Sequence, residues 1–164
     1  MSLNPILRPI LYAEDDDNDV FLMKRAFGIL GVQHPLKSVS DGKLAIAYLS
    51  GCIPNGDRVQ NVLPCFMLLD LSMPGRNGIE ILQWVRTQPI LHSLPVVVLS
   101  SSNQQSDIHR AYLLGASGFF IKPGDSDELI GIVTAIKEHW LDEKPVRTGF
   151  LDIGAFRPAV AHAP

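Results

Sequence analysis

The sequence predicts a single α/β domain: a doubly wound, five-stranded parallel sheet with helices on both faces. Five short apolar runs alternate with five helix-like segments along 164 residues. Apart from Lys37 and Ser38 in the second, the runs are apolar, without the in-out alternation of a sheet that has one face in water, and strands that read as continuous apolar runs are buried on both sides. Two of the runs end directly in carboxylates. In an open parallel sheet the strand C-termini share one edge, where ligands bind.

The elements follow in order. Ile10 to Ala13 is the first strand, and Asn18 to Leu30 the first helix. Leu36 to Val39 precedes a helix over Lys43 to Leu49, opened by Asp41-Gly42. Phe66 to Leu69 precedes a helix over Gly78 to Thr87. Pro95 to Leu99, rich in β-branched residues, leads to Ser106 to Leu114, closed by Gly115. Gly118 to Ile121 leads to Asp125 to Trp140, where Asp125 and Glu128 form a capping pair. Right-handed crossovers then wind the chain to both faces of the sheet. The 15-residue link Ser50 to Pro64 reads as an insertion, because most helix-to-strand connections are shorter. Residues 1–140 form the domain, and residues 141–164 form a C-terminal extension too short for an output domain.

Composition narrows the function. A hydrophobic share of 46% suits a continuous core, while 19% charged residues and a net charge of −3 argue against disorder and against a nucleic-acid surface. Met1 to Pro5 shows no basic signal region, and no apolar stretch is long enough to span a membrane, so the expected setting is the cytoplasm. Cys52 and Cys65 lack the spacing of a zinc site and read as ordinary thilos of a reducing compartment. The histidines at 34, 92, 109, 139 and 162 are scattered and are expected to be neither catalytic nor metal-binding.

The strand ends carry the chemistry. Glu14 and Asp15 follow the first strand, Asp70 the third, Ser100 the fourth and Lys122 the fifth. Carboxylates gathered at one edge repel one another unless a hard cation joins them, which points to Mg²⁺. Asp16 and Asp17 are assigned to capping or solvent, and Asp19 is a further capping candidate for the first helix.

This ordered set, with Met73-Pro74 and Gly78 after Asp70, Lys122-Pro123 near the end, and separations of 30 residues from Asp70 to Ser100 and 52 to Lys122, resembles the receiver domain of two-component response regulators. The resemblance covers roughly residues 8 to 140. It implies a flavodoxin-like sheet of strand order 2-1-3-4-5, with Asp70 as phosphoacceptor. It further implies Mg²⁺ held by Asp15, Asp70 and the Ser72 carbonyl, with Glu14 on a metal-bound water. Lys122 and Ser100 would contact the phosphoryl oxygens. Pro123 corresponds to the family's cis-proline. Ser100 and Phe119 correspond to the switch pair, in which phosphorylation draws the hydroxyl inward and lets the aromatic ring follow; Phe119 replaces the commoner tyrosine. Ile108, Tyr112, Ile132 and Trp140 are expected to divide between core and readout surface.

The long second loop, Asn77-Gly78-Ile79-Glu80, Leu113-Leu114-Gly115-Ala116 and the tail after Trp140 resemble single-domain regulators paired with phytochrome histidine kinases. The implied protein is a stand-alone regulator that accepts a phosphoryl group from a sensor histidine kinase and signals through protein contacts. It would contact neither nucleic acid nor membrane, and its apolar tail (Phe150, Leu151, Ile153, Phe156) would serve a homodimer. The alternative is a receiver-shaped adaptor that works without phosphorylation. A haloacid-dehalogenase-like phosphatase needs a second Asp two residues after the first, where this chain has Ser72. A flavin carrier needs a hydroxyl-rich phosphate loop after the first strand, and here that place is acidic.

Overall fold

The computed structural model describes residues 7–56 and 58–142. Strands β1 (Ile10–Ala13), β2 (Leu36–Val39), β3 (Phe66–Leu69), β4 (Val96–Ser100) and β5 (Gly118–Ile121) alternate with helices α1 (Asp17–Ile29), α2 (Gly42–Ser50), α3 (Gly78–Thr87), α4 (Gln105–Leu113) and α5 (Ser126–Ile136). All neighbouring strands pair in parallel, in the order β2-β1-β3-β4-β5.

Residue parity along each strand explains the continuous apolar runs. Tyr12, Leu68, Leu99 and Phe120 point toward α1 and α5, where Val20, Met23, Phe27, Leu129 and Val133 complete one core. Leu11, Met67, Leu69 and Val96 point the other way, toward Ala45, Leu49, Ile81, Leu82 and Val85 of α2 and α3. Val98 and Phe119 pack on Ile108 and Ala111 of α4. Ile108 and Ile132 therefore belong to the core, while Tyr112 and Trp140 are half-buried.

Side chains cap the helix starts. Asp16, Asp41, Asn77 and Asp125 accept hydrogen bonds from the amides of Asn18, Leu44, Glu80 and Glu128 at 2.8 to 3.0 Å. Glu128 reaches back to the Gly124 amide at 3.0 Å, one residue short of a reciprocal box. Strand β4 begins one residue later than predicted, since Pro95 has no amide to donate, although its carbonyl accepts from Met67 at 2.9 Å. The predicted last helix divides: α5 ends at Ile136, and a π-helical turn, Lys137–Leu141, follows. There the Trp140 indole lies 5.6 Å from the Phe66 ring, over Gly118, which has no β-carbon to hold it off. The apolar extension expected over residues 141–164 lies outside the described residues from position 143 onward.

The link between α2 and β3 sits at the N-terminal edge of the sheet, opposite the strand ends that carry acid. Gln60 and Asn61 amides donate to the Gly51 carbonyl at 2.9 and 2.8 Å, Tyr48 donates to Val62 at 2.9 Å, and Arg8 binds the Leu63 carbonyl at 2.9 Å. A second arginine staples the other side. Arg86 donates to Gly115 at 2.7 and 3.0 Å, to Leu94 at 2.9 Å and to His92 at 3.1 Å, tying α3 to the loops before β4 and β5. Gly115 adopts φ +91°, which a side chain would resist. Arg86→Ala leaves the part-buried Leu94 carbonyl and the exposed Gly115 and His92 carbonyls without this donor and is expected to cost about 1–2 kcal/mol in urea unfolding. Arg86→Lys should recover only part of it, because one ammonium cannot span both loops.

Both cysteines are free, and burial raises both thiols, Cys52 to about 11. At pH 8 the Cys52 thiolate is scarcer than in the unfolded chain by about two orders of magnitude. Native protein should therefore react with a disulfide reagent at least about tenfold more slowly than protein in urea. Among the described residues no helix is long and apolar enough to cross a membrane.

Candidate functional site

From β1 the chain crosses to β2 on one side and then to β3 on the other, so the strand order reverses between β1 and β3. Such a reversal opens a crevice at the strand C-termini. Backbone pairing fixes its walls: the Glu14 amide donates to Val39 at 3.0 Å, and the Asp70 amide donates to Ala13 at 3.0 Å. Glu14 and Asp70 are each 2% exposed, while Asp15 is open to solvent. One carboxylate oxygen from each of the three lies within 4.8 Å of the others.

The loop after Asp70 is held closely. Asp70 Oδ1 accepts from the Ser72 amide at 3.1 Å, and the Gly78 amide donates to Leu71 at 3.2 Å. A β-carbon at Gly78 would collide with the Asp70 carbonyl oxygen and stand 2.7 Å from Leu71 Cα. Glycine at the start of α3 thus lets that helix seat directly against the acidic loop.

Lys122 enters from β5. Its amide donates to the Ser100 carbonyl at 2.8 Å, and its ammonium lies 2.8 Å from Glu14 Oε2, 2.8 Å from Asp19 Oδ2 and 3.5 Å from Asp70 Oδ2. The Lys122–Pro123 bond is trans, at a position that resembles the family's cis-proline and whose conformation the sequence left open. Trans is the intrinsic preference of such bonds, and the Ser100 hydrogen bond and the ion pairs place the lysine without help from a cis turn.

Electrostatics follow from this packing. Burial raises the Glu14 carboxyl, against the opposing pull of its hydrogen bonds from Lys122 and the Asp16 amide. Burial alone would lower the Lys122 ammonium, but hydrogen bonds to Asp19 and Glu14 and the charge of Asp70 hold it above the ordinary lysine range. Tyr12 donates to Glu14 Oε2 at 3.1 Å from beneath the cluster, and its own hydroxyl is raised by burial and by the Glu14 charge.

Ser100 is fully buried at the end of β4, where its hydroxyl accepts from the Ser102 amide at 3.2 Å. Ser102 in turn donates to Asp107 at 2.5 Å and so belongs to the start of α4. Phe119 stands opposite Val98 in the β4–β5 register and is 1% exposed, its ring already turned inward. Without a hydroxyl to satisfy, that ring buries at no polar cost.

Glu14, Asp15, Asp70 and Lys122 therefore converge, with Ser72 joined through its amide and Ser100 through its carbonyl. Among the described residues no histidine joins them: His34 bonds the Arg8 carbonyl at 2.8 Å and His92 that of Arg86 at 3.0 Å. Asp19 is the residue that sequence reasoning missed. It was a capping candidate, yet Asp16 does the capping and Asp19 pairs with a lysine 103 positions away. Only its place in the acidic run hinted at a site.

Donor chemistry suits a hard divalent cation. The clustered ligands are all carboxylate oxygens, and two of them are too buried for water to screen.

Residues 10–134 match the model of the response regulator receiver domain. The probable methanogenesis regulatory protein FilR2 of Methanothrix harundinacea is 37% identical over 132 residues, 80% of this chain and 83% of its own. The crystal structure of the phosphorylated cyanobacterial phytochrome response regulator RcpA superposes with a TM-score of 0.74 at 34% identity, covering 82% of this chain and 94% of that one. The Mn²⁺-bound form of response regulator Rcp1 gives a TM-score of 0.74 at 29% identity, covering 85% and 98%. With its sheet order, its acidic crevice and this match across most of its length, the chain belongs to the response regulator receiver domain family.

Proposed function

We propose that this protein is a response regulator that accepts a phosphoryl group from a sensor histidine kinase onto Asp70. The observation that carries the reading is the convergence of Glu14, Asp15 and Asp70 within 4.8 Å, with the Lys122 ammonium 3.5 Å from Asp70. In the transfer an Asp70 carboxylate oxygen attacks phosphorus, the P–N bond of the donor phosphohistidine breaks, and the imidazole leaves with that electron pair. Later a water attacks the same phosphorus, the P–O bond to Asp70 breaks, and orthophosphate departs with a proton left to solvent.

Asp15, Asp70 and the Ser72 carbonyl would hold Mg²⁺, with Glu14 on a bound water. The ion supplies charge neutralisation for a dianion approaching carboxylates. Lys122 is placed to take one phosphoryl oxygen, and the buried Ser100 hydroxyl to donate to another. That pull would alter the packing of α4 on Phe119, biasing one of two arrangements of the surface beside it. The Mn²⁺-bound Rcp1 structure supports the metal reading, and the likeness to RcpA supports a phytochrome-type kinase as donor.

In this reading residues 1–140 are the receiver, set in the cytoplasm, and residues 141–164 serve a homodimer. The adaptor alternative has no use for buried carboxylates gathered around a half-buried lysine, whose desolvation costs stability. The test is intact mass after incubation with a small phosphodonor. A single phosphoryl adduct that forms with Mg²⁺ and not with chelator is expected; no adduct in Mg²⁺ overturns the proposal.

A further inference from the structure

Lys122 is held by a carboxylate outside the metal cluster. Asp19 Oδ2 takes the ammonium at 2.8 Å, closer than Asp70 at 3.5 Å, and Asp19 is not among the three acids that gather as a cation site. Its position is set from below: the Asp16 carboxylate caps the start of α1 and accepts from the Asn18 amide at 2.8 Å and the Asp19 amide at 3.4 Å. That cap points the first turn of α1 at the crevice. On the far side, Lys122 and Asp19 both line a cavity of about 170 Å³ with Tyr12, Met23, Leu99 and Leu129. The lysine stem is therefore not packed solid on the Asp19 side.

We propose that Asp19 is a positioning residue that competes with the phosphoryl group for Lys122. It draws the ammonium toward α1, leaving the Asp70 oxygens open to a cation, and it weakens the hold of Lys122 on any anion bound at Asp70. Glu14 shares the ammonium at 2.8 Å. Once Glu14 turns to the cation site, Asp19 becomes the remaining rival of the phosphoryl oxygens. This inference rests on the phosphoacceptor reading of Asp70, and it makes two predictions of opposite sign for one substitution.

Asp19→Asn keeps the size of the side chain and removes its charge. Lys122 should then lean on Glu14 and Asp70, opposing a cation, so that Mn²⁺ affinity, read by electron paramagnetic resonance of the free ion, falls about two- to fivefold. At saturating Mg²⁺, beryllofluoride should bind about three- to tenfold more tightly by ¹⁹F NMR, because one anionic competitor is gone. Asp19→Glu should restore the wild-type values in part. In a Lys122→Ala background the beryllofluoride gain should vanish, as a double-mutant cycle requires of coupled groups. A merely structural role for Asp19 would weaken both ligands together. Loss of both, no change in either, or a gain that survives Lys122→Ala overturns the proposal. The Mn²⁺ measurement involves no phosphoryl chemistry, so it reads Asp19 even where wild-type protein takes no adduct.

Discussion

Asp70→Asn is expected to abolish the Mg²⁺-dependent phosphoryl adduct, a loss of at least about 100-fold against wild type by intact mass. The amide fills the same volume and keeps an oxygen to accept from the Ser72 amide at 3.1 Å, so the loop should hold its shape. What disappears is the anionic nucleophile. One of three clustered carboxylates goes with it, and Mn²⁺ affinity should fall at least about tenfold. Stability in metal-free buffer should move the other way. At an effective dielectric of about 20, like charges within 4.8 Å of one another repel by about a few kcal/mol, partly offset by the lost attraction of Lys122. A net gain of about 1 kcal/mol in urea unfolding is expected. An adduct of wild-type yield on the variant would place the acceptor elsewhere.

Lys122→Ala should produce the largest change in stability. Glu14 and Asp70 are each 2% exposed, and Lys122 is the one cation within 4 Å of them among the described residues. Removing one member of a buried ion pair costs about 3–5 kcal/mol because the other charge stays buried without compensation. Asp19 has a side chain 36% exposed and can turn to water, which lowers the expected loss to about 2–4 kcal/mol at pH 7 without metal. Saturating Mg²⁺ should recover most of it, since the cation replaces the missing charge; chelator should remove the rescue. The sign with pH follows from the raised lysine. Its stabilisation is fully present below the unfolded value of about 10.4 and is lost as pH rises through the higher folded value, so the gap between variant and wild type should persist to about pH 10. Urea unfolding with and without Mg²⁺ at pH 7 and pH 9 checks both points, and a variant as stable as wild type without metal contradicts them.

Most element boundaries were legible because local signals agree with the tertiary frame. The apolar runs of β1, β2, β3 and β5 were placed to the residue. Asp41 and Asp125 announced their helices through side chains that act within three residues. The end of α5 was less legible. Nothing local breaks a helix before Trp140; the π-helical turn goes with an indole resting on Phe66 and Gly118, far away in sequence.

By itself the sequence determined the fold class, the strand ends and the residue types gathered there: periodicity, capping and strand-end chemistry are short-range properties written into neighbouring residues. The tertiary structure alone decided how those residues share their charges. It placed Lys122 between Glu14 and Asp19 as well as beside Asp70, turned Phe119 inward, and left the Lys122–Pro123 bond trans. Charges interact through distance and burial, and neither can be read along a chain whose partners stand 103 positions apart.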